Sequence, residues 1–453
     1  MASAPVIDPK IFKAYDVRGV YPAELNDETA YLIGRALVQY LAVDAVAVGR
    51  DMRLSSPALA AAIIRGITEQ GADAVDLGLT TTDELYFAVG KFDYPAGVMI
   101  TASHNPGKYN GIKMCRAQAV AISSETGGDA IRDIVLSGQV EQPQRTGQVT
   151  QREVTDDYVR HVLSFIDVSK VRPLKVAVDA GNGMAGLIVP KVFAHLPCTL
   201  VPLYFELDGS FPNHPASPIE LENTAELRRV VVEQHCDMGV AFDGDADRMF
   251  LITEKGEQLG GDMVTALVAQ SLLRKYPGAT ILYNLINSRS VPEVIERSGG
   301  RAVRTRVGHS FIKAQMREEN AVFGGEHSGH FYFRDNWYAD SGLIACLIVL
   351  ELISESGQTV SELLKPIDTR FRSGEINSEV TDQQAKMDEI VRHYAAEGAQ
   401  IDHLDGITIG FPTWWANVRP SNTEPLLRLN VEADTREELE RKRDEVLALI
   451  RQH

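Results

Sequence analysis

The sequence predicts an α/β protein of three similar domains, each with a mixed, mainly parallel sheet, and a smaller C-terminal α+β domain. A pattern of strand, helix, strand, helix, strand and polar loop occurs three times in the 453 residues. The last part of the chain instead has strands joined mostly by short turns, with helices set apart. Strands that alternate with helices favour doubly wound parallel sheets with right-handed crossovers. The length also exceeds what one hydrophobic core supports.

The first unit has predicted strands at 45–49, 74–78 and 96–100, with helices at 57–70 and 83–89 between them. The first of these helices begins at Pro57 and is closed by Gly71, and both are typical boundary signals. The last strand is an apolar run that leads into the polar loop 101–106.

The second and third units repeat this order. The second has predicted strands at 174–179, 200–204 and 238–242 and a helix at 224–235. The third has strands at 280–283 and 302–307, helices at 290–298 and 310–320, and a final segment at 321–330. Each unit therefore ends in one polar loop. Ligands bind at the carboxyl edge of parallel strands, so sheets that face a common centre would bring the three loops together.

The C-terminal part is predicted to be a small α+β domain. Its predicted strands are 374–380, 406–411, 414–418 and 426–432, and its helices are 382–397 and 436–450. We place the domain boundaries at 1–152, 153–256, 257–367 and 368–453. Each of the first three domains then holds one of the polar loops.

Composition and charge exclude several classes of protein. The chain has 45 Lys and Arg against 62 Asp and Glu, a net charge of −17, which argues against binding to nucleic acid or to a membrane surface. The four cysteines are scattered, and the N-terminus has no basic start followed by an apolar core. A reduced, cytoplasmic protein is therefore expected. The longest apolar run, 343–350, is too short to span a bilayer and is predicted to be a buried helix.

Three aspartates stand at every second position after the strand 238–242. Asp243, Asp245 and Asp247 are hard oxygen ligands that suit a divalent cation, because like charges so close together need a positive partner. A solvated acidic turn and a calcium loop are the alternatives. A calcium loop has glycine at its sixth position, where this chain has Arg248. A guanidinium there would suit a phosphate that shares the cation.

Two further segments have the chemistry of phosphate handling. Ser103 follows a buried strand, and its hydroxyl could be a nucleophile or a phosphoryl carrier. Lys113, further along the same loop, could supply charge or a proton. A serine hydrolase finds little support, because no Gly-x-Ser-x-Gly surrounds Ser103. The turn 419–425 groups hydroxyl and amide donors around Arg419 and suits a phosphate dianion, although Pro-Ser-Asn is also an ordinary turn.

Four motifs in this order resemble those of the α-D-phosphohexomutases, and within that family the bacterial phosphomannomutase/phosphoglucomutase branch. They are Thr-Ala-Ser-His-Asn-Pro at 101–106, Asp-Gly-Asp-Ala-Asp-Arg at 243–248, Gly-Glu-His-Ser-Gly-His at 325–330 and Arg-Pro-Ser-Asn-Thr at 419–423. The opening Phe-Lys-Ala-Tyr-Asp-Val-Arg-Gly at 12–19 is similar too. The resemblance spans nearly the whole chain. It implies three mixed α/β domains and a C-terminal lid domain around a central cleft.

The resemblance implies a role for each matched residue. Ser103 would be phosphorylated, and its phosphate would complete the shell of one Mg²⁺ held by Asp243, Asp245 and Asp247. Glucose 1,6-bisphosphate would be the activator. The expected catalytic residues are Ser103, Lys113, His330, Arg18 and Arg248, with Lys113 and His330 the better candidates for proton transfer. The expected substrate-binding residues are Tyr15, His309, Glu326, His327, Ser328, Gly329, Arg419, Pro420, Ser421, Asn422 and Thr423.

The activity implied is the interconversion of hexose 1-phosphate and hexose 6-phosphate, of mannose, glucose or both, through phosphoserine and a bisphosphorylated sugar. Phosphoryl transfer needs chiefly alignment and charge neutralisation, which the cation, Arg248 and Lys113 could supply. The alternatives are a metal-dependent sugar-phosphate phosphatase, a phosphoglucosamine mutase and a non-catalytic sensor of sugar phosphates. A second binding site for a phosphate dianion, at Arg419, favours a mutase over a phosphatase. The presence of Ser103 argues against a non-catalytic sensor.

Two positions depart from the family pattern. Ile286 stands where many relatives have a basic residue, so one phosphate contact is lost or is moved to Arg289. His327 stands where methionine is commoner in the dual-specificity branch, which leaves the preference for mannose or glucose open. We further expect a hinge near Pro366, and a monomer or weak dimer that binds a hexose phosphate substrate.

Overall fold

The computed structural model describes residues 7–141, 143, 145–421 and 425–452. These residues form four sheets, each made by one successive part of the chain. Among the helices so described, none is long and apolar enough to cross a membrane.

The first sheet is formed by the residues up to Gln151. Its strands are β1 (Val17–Val20), β2 (Ala45–Arg50), β3 (Asp73–Leu79), β4 (Ala96–Ile100), β5 (Tyr109–Arg116), β6 (Val120–Ala121) and β7 (Val149–Gln151). Its helices are α1 (Asp27–Leu41), α2 (Ser56–Glu69), α3 (Thr82–Lys91) and α4 (Asp129–Ser137). The strand order is β1, β5, β4, β2, β3, β7, and β6 pairs with β5.

The next two sheets are formed by the middle of the chain. The second has strands β8 (Lys175–Asp179), β9 (Thr199–Leu203), β10 (Met238–Phe242) and β11 (Met249–Thr253), with helices α5 (Thr155–Leu163), α6 (Ala185–Phe193) and α7 (Ala225–Glu233). The third has strands β12 (Thr280–Asn284), β13 (Arg301–Thr305), β14 (Phe323–Gly325), β15 (Phe331–Phe333) and β16 (Ala339–Asp340). Its helices are α8 (Gly261–Lys275), α9 (Ser290–Arg297), α10 (His309–Glu318), α11 (Gly342–Ser356) and α12 (Val360–Leu364).

One arrangement of four strands is common to these three sheets. The strand orders β3-β2-β4-β5, β9-β8-β10-β11 and β13-β12-β14-β15 are equivalent. In each, three strands are parallel and the fourth pairs antiparallel with the third. The connection between the third and fourth strands is the predicted polar loop in every case. The predicted mixed, mainly parallel fold is confirmed.

The first of these hairpins differs from the sequence prediction. The sequence predicts a loop as far as Lys113, whereas β5 already begins at Tyr109. The strand contains glycine and asparagine, which are poor strand formers, but it pairs with β4 on one side and β1 on the other. Tertiary pairing therefore overrides the local propensity, and Lys113 lies on a strand.

The fourth sheet is antiparallel. Its strands are β17 (Phe371–Arg372), β18 (Ile376–Glu379), β19 (Gln400–Asp402), β20 (Ile407–Gly410), β21 (Trp414–Pro420) and β22 (Leu426–Ala433), and its helices are α13 (Gln383–Ala396) and α14 (Arg436–Arg451). The predicted strand 374–380 is shorter than expected. Gly374 has a φ of +68°, a left-handed conformation that glycine adopts readily, and it separates β17 from β18.

The apolar cores show which domains are joined. The second and third domains share one large core, and the fourth has a core of its own. Helix α11 lies inside the shared core, with Leu343 to Ile353 almost wholly buried, as the apolar run 343–350 predicts. The second and third domains are therefore fixed to each other by hydrophobic burial, whereas the fourth is attached mainly through polar contacts.

Candidate active site

The three polar loops meet at one place. Ser103, in the loop between β4 and β5, donates a hydrogen bond of 2.6 Å from its Oγ to Oδ2 of Asp243, in the loop between β10 and β11. Arg248 and His330 form an isolated antiparallel bridge between the second and third loops. The equivalent hairpins of three domains thus form one site from residues more than 200 positions apart.

Ser103 is held in an unusual backbone conformation. Its φ is +50°, in the left-handed region, and its backbone N–H donates to Oγ1 of Thr101 at 2.9 Å. Nη2 of Arg248 donates to the Ser103 hydroxyl oxygen at 2.9 Å. Non-glycine residues rarely adopt a positive φ except at turns and functional sites. The loop therefore aims this hydroxyl at the aspartates and at a guanidinium.

The three aspartates form a buried cluster. Asp243, Asp245 and Asp247 are at most 1% exposed, and each offers a carboxylate oxygen within 4.8 Å of the others. Lys113 Nζ lies 2.7 Å from Asp245 Oδ2 and 2.6 Å from Asp247 Oδ2. Within the described part of the chain, the Oδ1 atoms of Asp245 and Asp247 are buried without a hydrogen-bond partner. Unpartnered, hard oxygen ligands of this kind fit a divalent cation.

The charges of the cluster shift one another. Burial raises the pKa of the Asp243 carboxyl and of the Asp247 carboxyl. Burial acts on Asp245 in the same way, but the Lys113 ammonium outweighs it and lowers the Asp245 pKa. Burial opposes the charged form of Lys113, yet Asp245 and Asp247 hold its pKa well above the usual value. Lys113 therefore keeps its positive charge in this arrangement.

Two imidazoles with lowered pKa values line the cleft beside the cluster. Burial, followed by the Arg248 guanidinium, holds the pKa of His330 well below its usual value. Burial, followed by Lys313, lowers the pKa of His309 to about 3. The two rings are nearly parallel, with centroids 6.3 Å apart, and Tyr15 lies 4.8 Å from His309. A neutral imidazole has a lone pair that can accept a proton.

A cleft of about 530 Å³ opens above these groups. Seven of the predicted site residues line it: Tyr15, Arg18, Ser103, Lys113, Arg248, His309 and His330. Arg18 is fixed there by Asp16, at 2.8 Å, and by the carbonyl oxygen of Ala102, at 2.6 Å. The cleft thus combines four basic side chains, of Lys13, Arg18, Lys113 and Arg248, and two acidic ones, of Asp16 and Glu24, with a serine hydroxyl. The excess of basic groups suits an anionic ligand.

The third loop is turned inward. Glu326 is 2% exposed, and its carboxylate accepts hydrogen bonds from Tyr332 Oη at 2.6 Å, from Gly308 N at 3.1 Å and from Asn284 at 3.3 Å. Ser328 Oγ lies 3.0 Å from Nδ1 of His330. His327 Nδ1 lies 3.7 Å from Asp262, and Gly329 has a φ of +87°. Glu326, His327, Ser328 and Gly329 are therefore beside the cleft but outside its described lining.

The fourth-domain segment is partly strand. Arg419 and Pro420 belong to β21, and Nη2 of Arg419 lies 2.5 Å from Glu375. The backbone N–H of Ser421 donates to the carbonyl oxygen of Leu426 at 2.8 Å. Asn422 and Thr423 lie outside the described residues. Arg419 is thus paired with a carboxylate in this arrangement of the domains.

Arg289, the predicted substitute for a basic residue at Ile286, contacts the fourth domain. Its Nη1 donates to the carbonyl oxygens of Phe411, at 2.8 Å, and Pro412, at 3.3 Å. Its backbone N–H donates to Glu432 at 3.0 Å. These bonds tie the Arg289 side chain to the fourth domain in this arrangement, and a shift of the phosphate contact to Arg289 stays a prediction.

Sequence reasoning missed several residues of the site. Thr82 donates from Oγ1 to Asp245 Oδ2 at 2.5 Å, and the run of three threonines after β3, at the same sheet edge, could have indicated it. His104 contacts the Arg248 guanidinium and lies 3.3 Å from Ser103 Oγ. Arg53, which follows β2, is buried against the serine loop, and no local pattern distinguishes it.

Four models of one protein family match successive parts of the chain. The model described as phosphoglucomutase/phosphomannomutase, alpha/beta/alpha domain I, matches residues 9–141. Those for domains II and III match residues 156–256 and 260–370. The C-terminal domain of the same family matches residues 375–449.

Individual proteins are similar over almost the whole chain. A protein named phosphohexose mutases from Xanthomonas campestris pv. campestris (strain B100) is 44% identical over 422 residues, which are 93% of this chain and 94% of that protein. A phosphomannomutase from Salmonella montevideo is 39% identical over 430 residues, 93% of this chain and 94% of that one. A crystal structure of a phosphoglucomutase/phosphomannomutase family protein from Burkholderia thailandensis has a TM-score of 0.89 and 33% identity, and the match covers 98% of this chain and 97% of that one.

Proposed function

The chain belongs to the phosphoglucomutase/phosphomannomutase family and is a hexose phosphate mutase, an isomerase, and we propose that Ser103 carries the phosphoryl group that it transfers. The observation that carries this proposal is the 2.6 Å hydrogen bond from Ser103 Oγ to Asp243, at the edge of the buried aspartate cluster. A phosphate on Ser103 would stand between that cluster and Arg248. The reaction is the exchange of hexose 1-phosphate and hexose 6-phosphate, and we propose mannose, glucose or both as the sugar.

The first step transfers the phosphoryl group to the substrate. The bond between phosphorus and Ser103 Oγ breaks while a bond from phosphorus to a free sugar hydroxyl oxygen forms, and the hydroxyl loses its proton. Arg248, Lys113 and Arg18 line the cleft as cations and would stabilise the charge on the equatorial oxygens. The second step is the reverse transfer, from the other end of the bisphosphorylated sugar back to Ser103.

We propose His330 as the acceptor of the hydroxyl proton. Its imidazole is neutral because burial and Arg248 lower its pKa, so a lone pair is available for general base catalysis. Nδ1 is engaged with Ser328 Oγ at 3.0 Å, while Nε2 lies 3.9 Å from Asp247. Lys113 is a poorer candidate for proton transfer, since the aspartates raise its pKa, and we assign it to charge stabilisation.

Asp243, Asp245 and Asp247 would hold a divalent cation, which we propose is one Mg²⁺ per chain. When bound, this ion would neutralise charge on the transferring group. Two features of the chain support it. The carboxylates are buried, and the Oδ1 atoms of Asp245 and Asp247 are without a partner in the described part of the chain. Thr82 and Lys113, which both contact Oδ2 of Asp245, would orient this carboxylate.

The phosphate that is not transferred would be held by the fourth domain. We propose Arg419, Pro420, Ser421, Asn422 and Thr423 for this role, and Glu326, His327, Ser328 and Gly329 for contacts with the sugar hydroxyls. Tyr15 and His309, which line the cleft, would pack against the sugar. Arg419 must leave Glu375 to bind a phosphate, so substrate binding would exchange one anionic partner for another.

We also propose an activator, an oligomeric state with a cellular location, domain boundaries and a hinge. Glucose 1,6-bisphosphate would be the activator, because it can donate a phosphoryl group to a Ser103 that has lost its own and leave a hexose phosphate. The enzyme would be a cytoplasmic monomer or weak dimer that binds neither nucleic acid nor membranes. Its domain boundaries would be 1–152, 153–256, 257–367 and 368–453. A hinge near Pro366 would let the fourth domain open.

A coupled assay tests this function. Mannose 1-phosphate, glucose 1-phosphate and glucosamine 1-phosphate are compared with Mg²⁺, with and without a trace of glucose 1,6-bisphosphate. The expected result is turnover of mannose or glucose phosphate that the bisphosphate enhances. Ser103→Ala should abolish this turnover without changing the melting temperature, whereas Ser137→Ala, at an exposed serine, should be unaffected. Turnover by Ser103→Ala at the unaltered rate would contradict the carrier role.

A further inference from the structure

A single buried arginine holds the loop that contains Ser103. Arg53 follows β2 and is only 1% exposed although it is charged. All five of its side-chain N–H groups can be accounted for. Nε donates to Asp51 Oδ2 at 3.2 Å, Nη1 to the carbonyl oxygens of Pro106 and Tyr109 at 3.0 Å each, and Nη2 to those of Ser103 at 2.8 Å and Asn105 at 2.6 Å.

These bonds define the shape of the serine loop. Four carbonyl groups between residues 103 and 109 point at one planar guanidinium, so the loop is wrapped around it. One of them belongs to Ser103 itself, whose φ of +50° is unfavourable for a residue with a side chain. Without the guanidinium these four carbonyl groups, of which that of Ser103 is buried, would each lose a donor. The loop would then lose the interactions that favour this conformation.

The second domain covers this arginine. The Phe211 ring lies over the Arg53 guanidinium, 5.0 Å from its centroid. Gly209 packs so closely that a Cβ there would lie 2.6 Å from Arg53 Cα, and a Cβ on Gly107 would lie 2.7 Å from the Gly209 carbonyl oxygen. The same domain carries the aspartate loop. Arg53 therefore lies at the junction that sets the distance between Ser103 and the aspartates.

We infer that Arg53 is a positioning residue for phosphoryl transfer, which keeps Ser103 Oγ aligned with the aspartate cluster by binding the backbone of its loop. The inference rests on the proposed function, because it concerns Ser103 as the carrier. A lysine cannot take over the role. Its three N–H donors radiate from one nitrogen, whereas the guanidinium presents five in a rigid plane.

The test compares Arg53→Lys and Arg53→Ala with Ser103→Ala in the Mg²⁺-loaded enzyme. For Arg53→Lys we expect kcat to fall by about 100-fold, the cost of a misplacement near 1 Å, with KM within about threefold. Free guanidinium ion should raise the kcat of Arg53→Ala by at least about tenfold, because it can occupy the vacated space. It should leave Ser103→Ala inactive. Arg65→Ala is the matched control, since Arg65 is exposed and also lies over a ring, that of Tyr31 at 4.6 Å.

The outcomes separate this inference from the proposed function. A kcat of Arg53→Lys within about threefold of the unchanged enzyme, together with an inactive Ser103→Ala, would overturn the inference and leave the carrier role intact. An active Ser103→Ala would instead overturn the proposed function. If melting curves show that the Arg53 variants do not fold, Asp51→Asn decides, because it removes the carboxylate that orients the Arg53 guanidinium through Nε. A fall in its kcat of about fivefold supports the inference, and an unchanged kcat overturns it.

Discussion

At the residue scale, the site has an excess of buried negative charge. Three carboxylates, of Asp243, Asp245 and Asp247, face two cations, Lys113 and Arg248. A phosphoserine at Ser103 would add nearly two more negative charges at neutral pH. Buried charges need compensation, because the interior cannot solvate them as water does. A divalent cation supplies it, and the unpartnered oxygens of Asp245 and Asp247 lie where such an ion would bind.

Removal of one carboxylate should weaken metal binding. Asp245→Asn keeps the shape of the side chain but removes a negative charge next to Lys113. Removal of a residue that only hydrogen-bonds to a metal ligand lowers metal affinity by about 10- to 100-fold. Removal of a ligand itself should therefore lower the affinity for Mg²⁺ by at least as much. Titration of activity against Mg²⁺ measures it, with exposed Asp133→Asn as the control. An unchanged Mg²⁺ requirement would exclude Asp245 as a ligand.

A second residue-scale prediction concerns stability and pH. Glu84, at the start of α3, is fully buried, and burial raises its pKa from 4.5 to about 7. Since the folded pKa lies above the unfolded one, the stabilisation is complete below pH 4.5 and is lost as the pH rises towards 7. At about 1.4 kcal/mol per pKa unit this amounts to roughly 3 kcal/mol. Asp83, whose pKa burial raises to about 6, acts in the same direction.

Glu84→Gln should remove this contribution. The amide oxygen can still accept from Thr81 N, as the carboxylate does at 2.8 Å, so the capping interaction of α3 is kept. Relative to the unchanged protein, the variant should gain roughly 3 kcal/mol of unfolding free energy between pH 4.5 and pH 7. Urea unfolding at several pH values measures the difference. Parallel pH curves for the two proteins would contradict a buried, protonated Glu84, and Glu125→Gln, at an exposed position, provides the control.

The residues that sequence reasoning found and those that it missed differ in how far along the chain their partners lie. The three aspartates stand close together in the chain, so their shared ligand could be inferred from spacing alone. Arg53 acts on backbone carbonyl groups about 50 residues away, and a sequence gives no sign of such partners. The pairing of Arg419 with Glu375 is similarly invisible, because the two residues are 44 positions apart.

At the scale of elements, the site is built from one hairpin used three times. The strand and helix periodicity was sufficient to predict three equivalent units and the polar loops at their ends. It was not sufficient to predict every strand. β14 and β15 have three residues each, too few for a periodic signal, and β5 is a strand only because it has partners on both sides. Pairing between distant segments, and not local propensity, defines these elements.

Close approach of two hairpins requires a glycine. A Cβ on Gly244 would overlap the carbonyl oxygen of Ser103, so Gly244→Ala should push the serine loop away from the aspartate loop. A displacement near 1 Å costs about 100-fold in rate, and kcat should fall by that order while the fold is kept. Steady-state kinetics measures the effect. In Gly410→Ala the new Cβ would have its nearest neighbour at an ordinary 3.5 Å, and activity should persist; equal activity of both variants would contradict the close packing of these loops.

At the scale of the whole molecule, the fourth domain has an apolar core of its own, as the first domain does. Its core is separate, whereas the second and third domains share one. Polar contacts such as Arg370 with Glu293, at 2.7 Å, and Arg289 with the Phe411 carbonyl oxygen, at 2.8 Å, join it to the third domain. Exposed ion pairs contribute little to stability, which favours the proposed hinge near Pro366.

A substrate phosphate should draw Arg419 away from Glu375. Arg419→Ala should therefore raise KM for a hexose phosphate by roughly 10- to 100-fold, because a charge-assisted bond to phosphate is lost. Arg428→Ala is the matched control, since Arg428 also pairs with Glu375, at 3.4 Å, but lies outside the proposed phosphate loop. Initial-rate kinetics over a range of substrate concentration distinguishes the two. An unchanged KM for Arg419→Ala would refute the assignment of this loop.

The most direct test of the account is to find which residue carries the phosphoryl group. The enzyme is incubated with Mg²⁺ and glucose 1,6-bisphosphate, digested, and examined by peptide mass spectrometry. The account predicts a single phosphate, located on Ser103, and transfer of that phosphate to the sugar when hexose 1-phosphate is added in excess. A phosphate on any other residue, or turnover by an enzyme that never becomes phosphorylated, would contradict it.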